Sequence, residues 1–125
     1  MLRKITRAGL PLISLCFVLA TSGTQALAQQ APSLHVGSDT RAKSQAECMR
    51  DAKFAISETG LQVSFTSDPH IGGSGILNGA GVAVMVSCLT LGQRTFIEVV
   101  GVSLDGGAAA EVRNRVRTIT MGPAT

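Results

Sequence analysis

Ten residues, Val82-Ala83-Val84-Met85-Val86-Ser87-Cys88-Leu89-Thr90-Leu91, are apolar or β-branched almost without interruption. Asn78-Gly79-Ala80-Gly81 opens the run and Gly92 closes it. A stretch this long between glycines reads as a central strand with cover on both faces. The rest of the chain must therefore supply that cover.

The first 28 residues do not contribute to it. Arg3, Lys4 and Arg7 form a positive n-region, Leu10 to Ala20 an apolar h-region, and Ala26-Leu27-Ala28 a small-residue cleavage site. Together they predict a signal peptide removed before Gln29. The apolar core is far shorter than the roughly 20 residues of a membrane-spanning helix. Cys16 sits inside the h-region behind the bulky Leu15, which does not suit a lipidation site. The mature protein is expected to be periplasmic or secreted, with no stable membrane anchor.

Cleavage also removes the charge. The formal +3 resides in Arg3, Lys4 and Arg7, leaving eight basic and eight acidic residues. A neutral chain lacks the electrostatic footprint of a nucleic-acid or anionic-membrane binder. Without Trp or Tyr it also lacks most of the stacking platforms used on single strands. Nucleic acid is not an expected partner.

Residues 29–43 hold Pro32, Gly37, Ser38 and Asp39 without sustained periodicity, and read as an extended or mobile arm with at most a short strand at Leu34-His35-Val36. Ser44-Gln45-Ala46-Glu47 fits a capping box. It predicts a helix to about Thr59, ended by Gly60, with Cys48, Ala52, Ala55 and Thr59 on one stripe. Leu61 to Thr66 alternates cleanly, as a strand with one wet face does. Ser67 to Gly81 follows as a long glycine-rich connection. The central strand and Thr95 to Val102 then form a hairpin through Gly92-Gln93, a type II′ turn that pairs Cys88 with Ile97 and Val86 with Val99. A second helix over about 108–119 carries Ala109, Val112, Val116 and Ile119 on its apolar side. Residues 44–120 thus read as one α+β domain, with 121–125 a frayed tail. The fold expected is a two-layer sandwich, helix – three-stranded antiparallel meander – helix (αβββα), with one disulfide.

That disulfide joins Cys48 and Cys88, the two cysteines of the mature chain. An exported domain with an even number of cysteines favours pairing, and Cys-x-x-Cys redox spacing is absent. His35, His70 and Asp68 are the weak candidates for metal ligands, but their spacing does not support a site, and no cofactor is expected. Gly72-Gly73-Ser74-Gly75 lacks the Lys-Ser/Thr and following helix of a phosphate loop. Ser74 is not in a nucleophile elbow, and Asp68, Glu98 and Asp105 have no reason to converge. An enzyme is not expected.

Two helices on one side of a meander leave the other face bare. Met85, Leu89, Phe96, Glu98, Val100 and Val102 fall on it and form the candidate interface. An apolar patch of that size marks a partner, a dimer or an apolar ligand, unless the N-terminal arm, residues 29–43, or one of the helices folds across it. The leading expectation is a non-enzymatic periplasmic interaction module using the exposed sheet face, with a homodimer among its uses. The alternative is a small-ligand or metal-binding protein using the 68–75 loop.

Overall fold

The computed structural model describes residues 30–123, so the expected signal peptide, residues 1–28, lies outside them. The elements are β1 (Ser33–Arg41), α1 (Gln45–Glu58), β2 (Gln62–Ser67), β3 (His70–Leu77), β4 (Ala80–Leu91), β5 (Arg94–Ser103) and α2 (Gly106–Met121). The strands form one antiparallel sheet in the order β1-β5-β4-β3-β2. The expected αβββα meander is therefore wrong: the order is βαββββα, with five strands instead of three. The apolar run does become the central strand β4.

Both missing strands hide for physical reasons. β1 occupies most of the expected arm and pairs with β5 from Ser33↔Ser103 to Arg41↔Thr95. Its apolar Leu34 and Val36 face away from the helices. Gly37 and Asp39 face α2, where the side chains of Arg113 and Arg117 lie over Gly37 and Arg117 approaches Asp39. The strand's inner side is thus polar, and no core-facing apolar pattern marks it.

β3 occupies most of the expected glycine-rich connection. Its glycines are required by close approach, not by flexibility: side chains of Phe65, Ile56 and Leu61 occupy the space of a Cβ on Gly72, Gly73 and Gly75. Asn78 and Gly79 both have positive φ, 51° and 80°, and form the two-residue turn into β4. At the other end, Asp68 and Pro69 join β2 to β3 through a cis peptide bond.

β2 does not alternate as expected. Its register shifts between Val63, opposite Gly73, and Phe65, opposite Gly72. Ser64 is the extra residue of a bulge. Val63 and Phe65, two apart, consequently lie on opposite faces of the sheet.

The β4–β5 hairpin has the expected register, Val86↔Val99 and Cys88↔Ile97, through Gly92 at φ 61°. α1 begins at Ser44 with both halves of the capping box in place: Glu47 N–H donates to Ser44 Oγ at 3.1 Å, and Ser44 N–H to the Glu47 carboxylate at 2.8 Å. Cys48, Ala52, Ala55, Ile56 and Thr59 are buried, as the stripe required. These residues are small, apart from Ile56, so α1 sits close to the sheet. The disulfide from Cys48 to Cys88 fastens it to the middle of β4.

α2 starts at Asp105, whose carboxylate accepts from Ala108 N–H at 2.9 Å. Its buried side, Ala109, Val112 and Val116, lies on β5. A Cβ on Gly101 would strike the Ala109 carbonyl oxygen, so helix backbone and strand backbone touch there. The helix runs past the expected end to Met121, which is 3% exposed and therefore part of the core, not of a frayed tail. Lys43 ties the corner together: its ammonium reaches Asp51 and the Thr120 carbonyl, each at 2.7 Å, and its own carbonyl accepts from Thr95 at 2.6 Å. Among the described residues, helices and core occupy one side of the sheet only.

Candidate functional site: the open face of the sheet

The sheet register fixes what the uncovered side displays. Successive residues of a strand alternate between faces, and directly paired residues share one. Val82, Val84, Val86 and Cys88 are buried under the helices, so Ala83, Met85, Ser87 and Leu89 point the other way. On β5 the outward set is Phe96, Glu98, Val100 and Val102. All six expected interface residues therefore stand on this face.

β1 resolves the question of cover. It does not fold across the open face; it extends that face by one strand at the edge. Leu34 pairs with Val102 and Val36 with Val100, and the two β1 side chains are 61% and 47% exposed. From the opposite edge, the bulge of β2 turns Phe65 onto the face, where its ring lies over Gly72. Leu34, Phe65, Ala83, Met85, Val100 and Val102 line a concavity of about 380 Å³ that is almost wholly apolar. Sequence reasoning missed Leu34, Val36 and Phe65 as members of this surface. The Asn78-Gly79 hairpin signal would have revealed β3, and with it the glycine bed under Phe65.

A polar row crosses the face beside the concavity. Ser38, Glu98, Ser87, His70 and Ser67 are mutual cross-strand neighbours on β1, β5, β4, β3 and β2. His70 Nδ1 and Ser87 Oγ are hydrogen-bonded at 2.8 Å. Ser87 is 3% exposed, so this bond is shielded by its neighbours. No ion pair reaches Glu98 among the described residues.

The row is not a catalytic triad. A nucleophile–base–acid relay needs the imidazole between hydroxyl and carboxylate, whereas here Ser87 stands between His70 and Glu98. The weak metal candidates are also kept apart. His35 pairs with Gly101 on the helix side of β1, His70 lies on the open side of β3, and Asp68 is in the β2–β3 turn. Among the described residues no three His, Cys, Asp or Glu side chains are placed to hold a metal. Residues 70–75 form part of β3, so the expected 68–75 loop is not a flap. Two carboxylates elsewhere are held below their ordinary range. Thr40 N–H and then Arg41 act on Asp39; Ser44 N–H and then the Ser44 hydroxyl act on Glu47. Both belong to the scaffold, since neither lies on the open face.

No protein-family model and no curated protein matches this chain in sequence. Its fold is similar to that of CalU16 from Micromonospora echinospora. The crystal structure of that protein aligns with a TM-score of 0.53 at 9% identity, covering 73% of this chain and 80% of the other. At that identity the likeness concerns the fold alone.

Proposed function

We propose that this protein is a small exported, non-enzymatic binding module whose open sheet face takes the apolar surface of a protein partner. The observation that carries the reading is the position of β1. The segment able to cover the face widens it instead, leaving Leu34, Val36, Phe65 and Leu89 each more than 40% exposed on one continuous surface. Burying a side chain of that size contributes about 1.5–3 kcal/mol, so a face carrying several is a strong driver of association. The Cys48–Cys88 disulfide supports export, because such bonds persist in oxidising compartments.

The concavity favours a second reading, an apolar small molecule held among Phe65, Met85 and Val102. Its volume of about 380 Å³ falls in the range of small-ligand sites.

Native mass spectrometry of protein recovered from the periplasm without reductant tests both. Under the first reading the protein carries a polypeptide partner, and Met85→Lys or Val100→Lys releases it. Retention of a small apolar mass supports the second. A bare monomer in every case, at concentrations where the partner is present, defeats both. Asp68→Asn, away from the face, is expected to change nothing.

A further inference from the structure

We infer that the partner of the open face is a second copy of this chain, set face to face by a two-fold axis that runs along β4 and passes over Ser87. The inference rests on the reading of the open face as a binding surface and adds the identity and register of the occupant.

The argument starts from the strand order. β4 is the middle strand of five, so a two-fold axis along it superimposes the whole of one sheet on the whole of the other. β5 of one copy then lies over β3 of its partner, and β1 over β2. Rows across the sheet stay in register, because the axis runs along the strands. Stacked sheets with nearly aligned strands are a standard packing, and an isologous interface requires a self-complementary surface.

The polar row meets that requirement. About Ser87 it reads Ser–Glu–Ser–His–Ser, from Ser38 on β1 to Ser67 on β2. The rotation puts Glu98 opposite the partner's His70, twice, and Ser87 opposite itself. His70 Nδ1 is taken up by Ser87. In the tautomer whose Nδ1 accepts the Ser87 hydroxyl, the ring carries its hydrogen on Nε2, which can donate to a facing carboxylate. Each Glu98, which has no ion pair among the described residues of its own chain, gains a partner. The neighbouring row is complementary in size: Phe65, lying over Gly72, faces Val36 and Val100 of the second copy, and Met85 faces itself.

The area is also sufficient. Five strands about 4.8 Å apart, paired over about seven residues of 3.3 Å each, project roughly 500–600 Å². Two such faces together bury more than about 1,000 Å², the floor that a specific interface has to clear.

A charge swap tests the register. Glu98→Lys alone places a lysine against His70 at both contacts, and His70→Asp alone places an aspartate against Glu98. In a mixed dimer of the two variants, the introduced lysine meets the introduced aspartate at one contact. At the other, the remaining Glu98 meets the remaining His70, so both contacts are attractive. Sedimentation equilibrium of the disulfide-intact mature protein should show a dimer. Each variant alone should associate at least 100-fold more weakly, and an equimolar mixture should recover the dimer.

A wild-type chain that stays monomeric at 100 μM overturns the inference without touching a face that binds another protein. If Met85→Lys dissociates the dimer but the mixture does not recover it, the register is wrong and the reading of the face stands. If Met85→Lys leaves the dimer intact, the interface is elsewhere and the inference fails, while the face remains available to a different protein. Circular dichroism checks that the variants fold. Should His70→Asp not fold, Glu98→Cys mixed with His70→Cys replaces the pair. Facing sheets stand about 10 Å apart, too far for a direct disulfide, so a short bifunctional thiol reagent should link the two variants into a covalent heterodimer. Its failure to do so counts against the register.

Discussion

The ring of Phe65 occupies the space that a Cβ on Gly72 would need, so one β2 side chain and one β3 glycine fill a single position on the open face. Gly101 shows the opposite case on the buried face, where the Ala109 carbonyl, part of the α2 backbone, fills that space. The two glycines are predicted to differ sharply on substitution. Phe65 is 45% exposed and can swing aside, so Gly72→Ala should cost under about 1 kcal/mol while reshaping the concavity. Gly101→Ala must displace a helix, and should cost about 2–3 kcal/mol. Urea unfolding of the two variants checks the ranking; equal costs would contradict the packing described.

Reduction should weaken the domain substantially. Cys48 and Cys88 are 40 residues apart in sequence and both fully buried. A cross-link over such a loop stabilises by roughly 3–4 kcal/mol in the chain-entropy model. α1 otherwise contacts the sheet through small residues and Ile56, so little else compensates. A shift of the urea midpoint on adding reductant, matched by the double Cys48→Ala/Cys88→Ala variant, is the expected result. Cys→Ala pairs that lose nothing would mean the bond is dispensable.

Acid should loosen the start of α1. The Glu47 carboxylate, held below its ordinary range by Ser44 N–H, binds its proton less readily folded than unfolded. Its contribution is therefore complete above the ordinary carboxylate range, about pH 4–5, and lost as pH falls through the lower folded value. Asp39, held down by Thr40 N–H and Arg41, acts in the same direction. Glu47→Gln keeps a capping side chain without the titration. It should flatten the fall in urea midpoint between pH 5 and pH 3, whereas an unchanged slope would assign the acid sensitivity elsewhere.

β1 should open before the centre of the sheet. It is one of the two edge strands, its ladder bonds all go to β5, and its outward Leu34 and Val36 gain nothing from the core. Amides of Ser33 to Arg41 bonded into β5 are expected to exchange with deuterium faster than those shared by β4 and β5. Equal protection of the two ladders would show that β1 is held as firmly as the centre.

The parts legible in the sequence are those whose signals are local. Ser44 and Glu47 announce their cap, Gly92-Gln93 fixes a hairpin and hence its register, and the Cys48 stripe points where Cys88 waits. What stays hidden depends on residues far away. Gly72 and Gly73 suggest a loop until Phe65 and Ile56 are known to lie against them. Asp39 and Arg41 look like solvent residues until α2 brings Arg117 beside Asp39. The six expected interface positions on β4 and β5 are readable, because alternation on a strong strand is enough to place them. Leu34 and Val36 are not, since an apolar residue that faces outward breaks the inside–outside pattern on which strand reading relies.

The bulge in β2 has a consequence for how this chain tolerates changes in length. Ser64 opposes no β3 residue of its own; Val63 and Phe65 already meet Gly73 and Gly72 in adjacent rows. A chain lacking Ser64 would run Val63 directly into Phe65 and form a regular ladder, each side chain on the face it now occupies. It would lose the 2.9 Å hydrogen bond to Ser74 and some local twist. In most strands a one-residue deletion turns the following side chains inside out. Here the spare residue is already built in, and the strand can shorten by one without exchanging inside for outside.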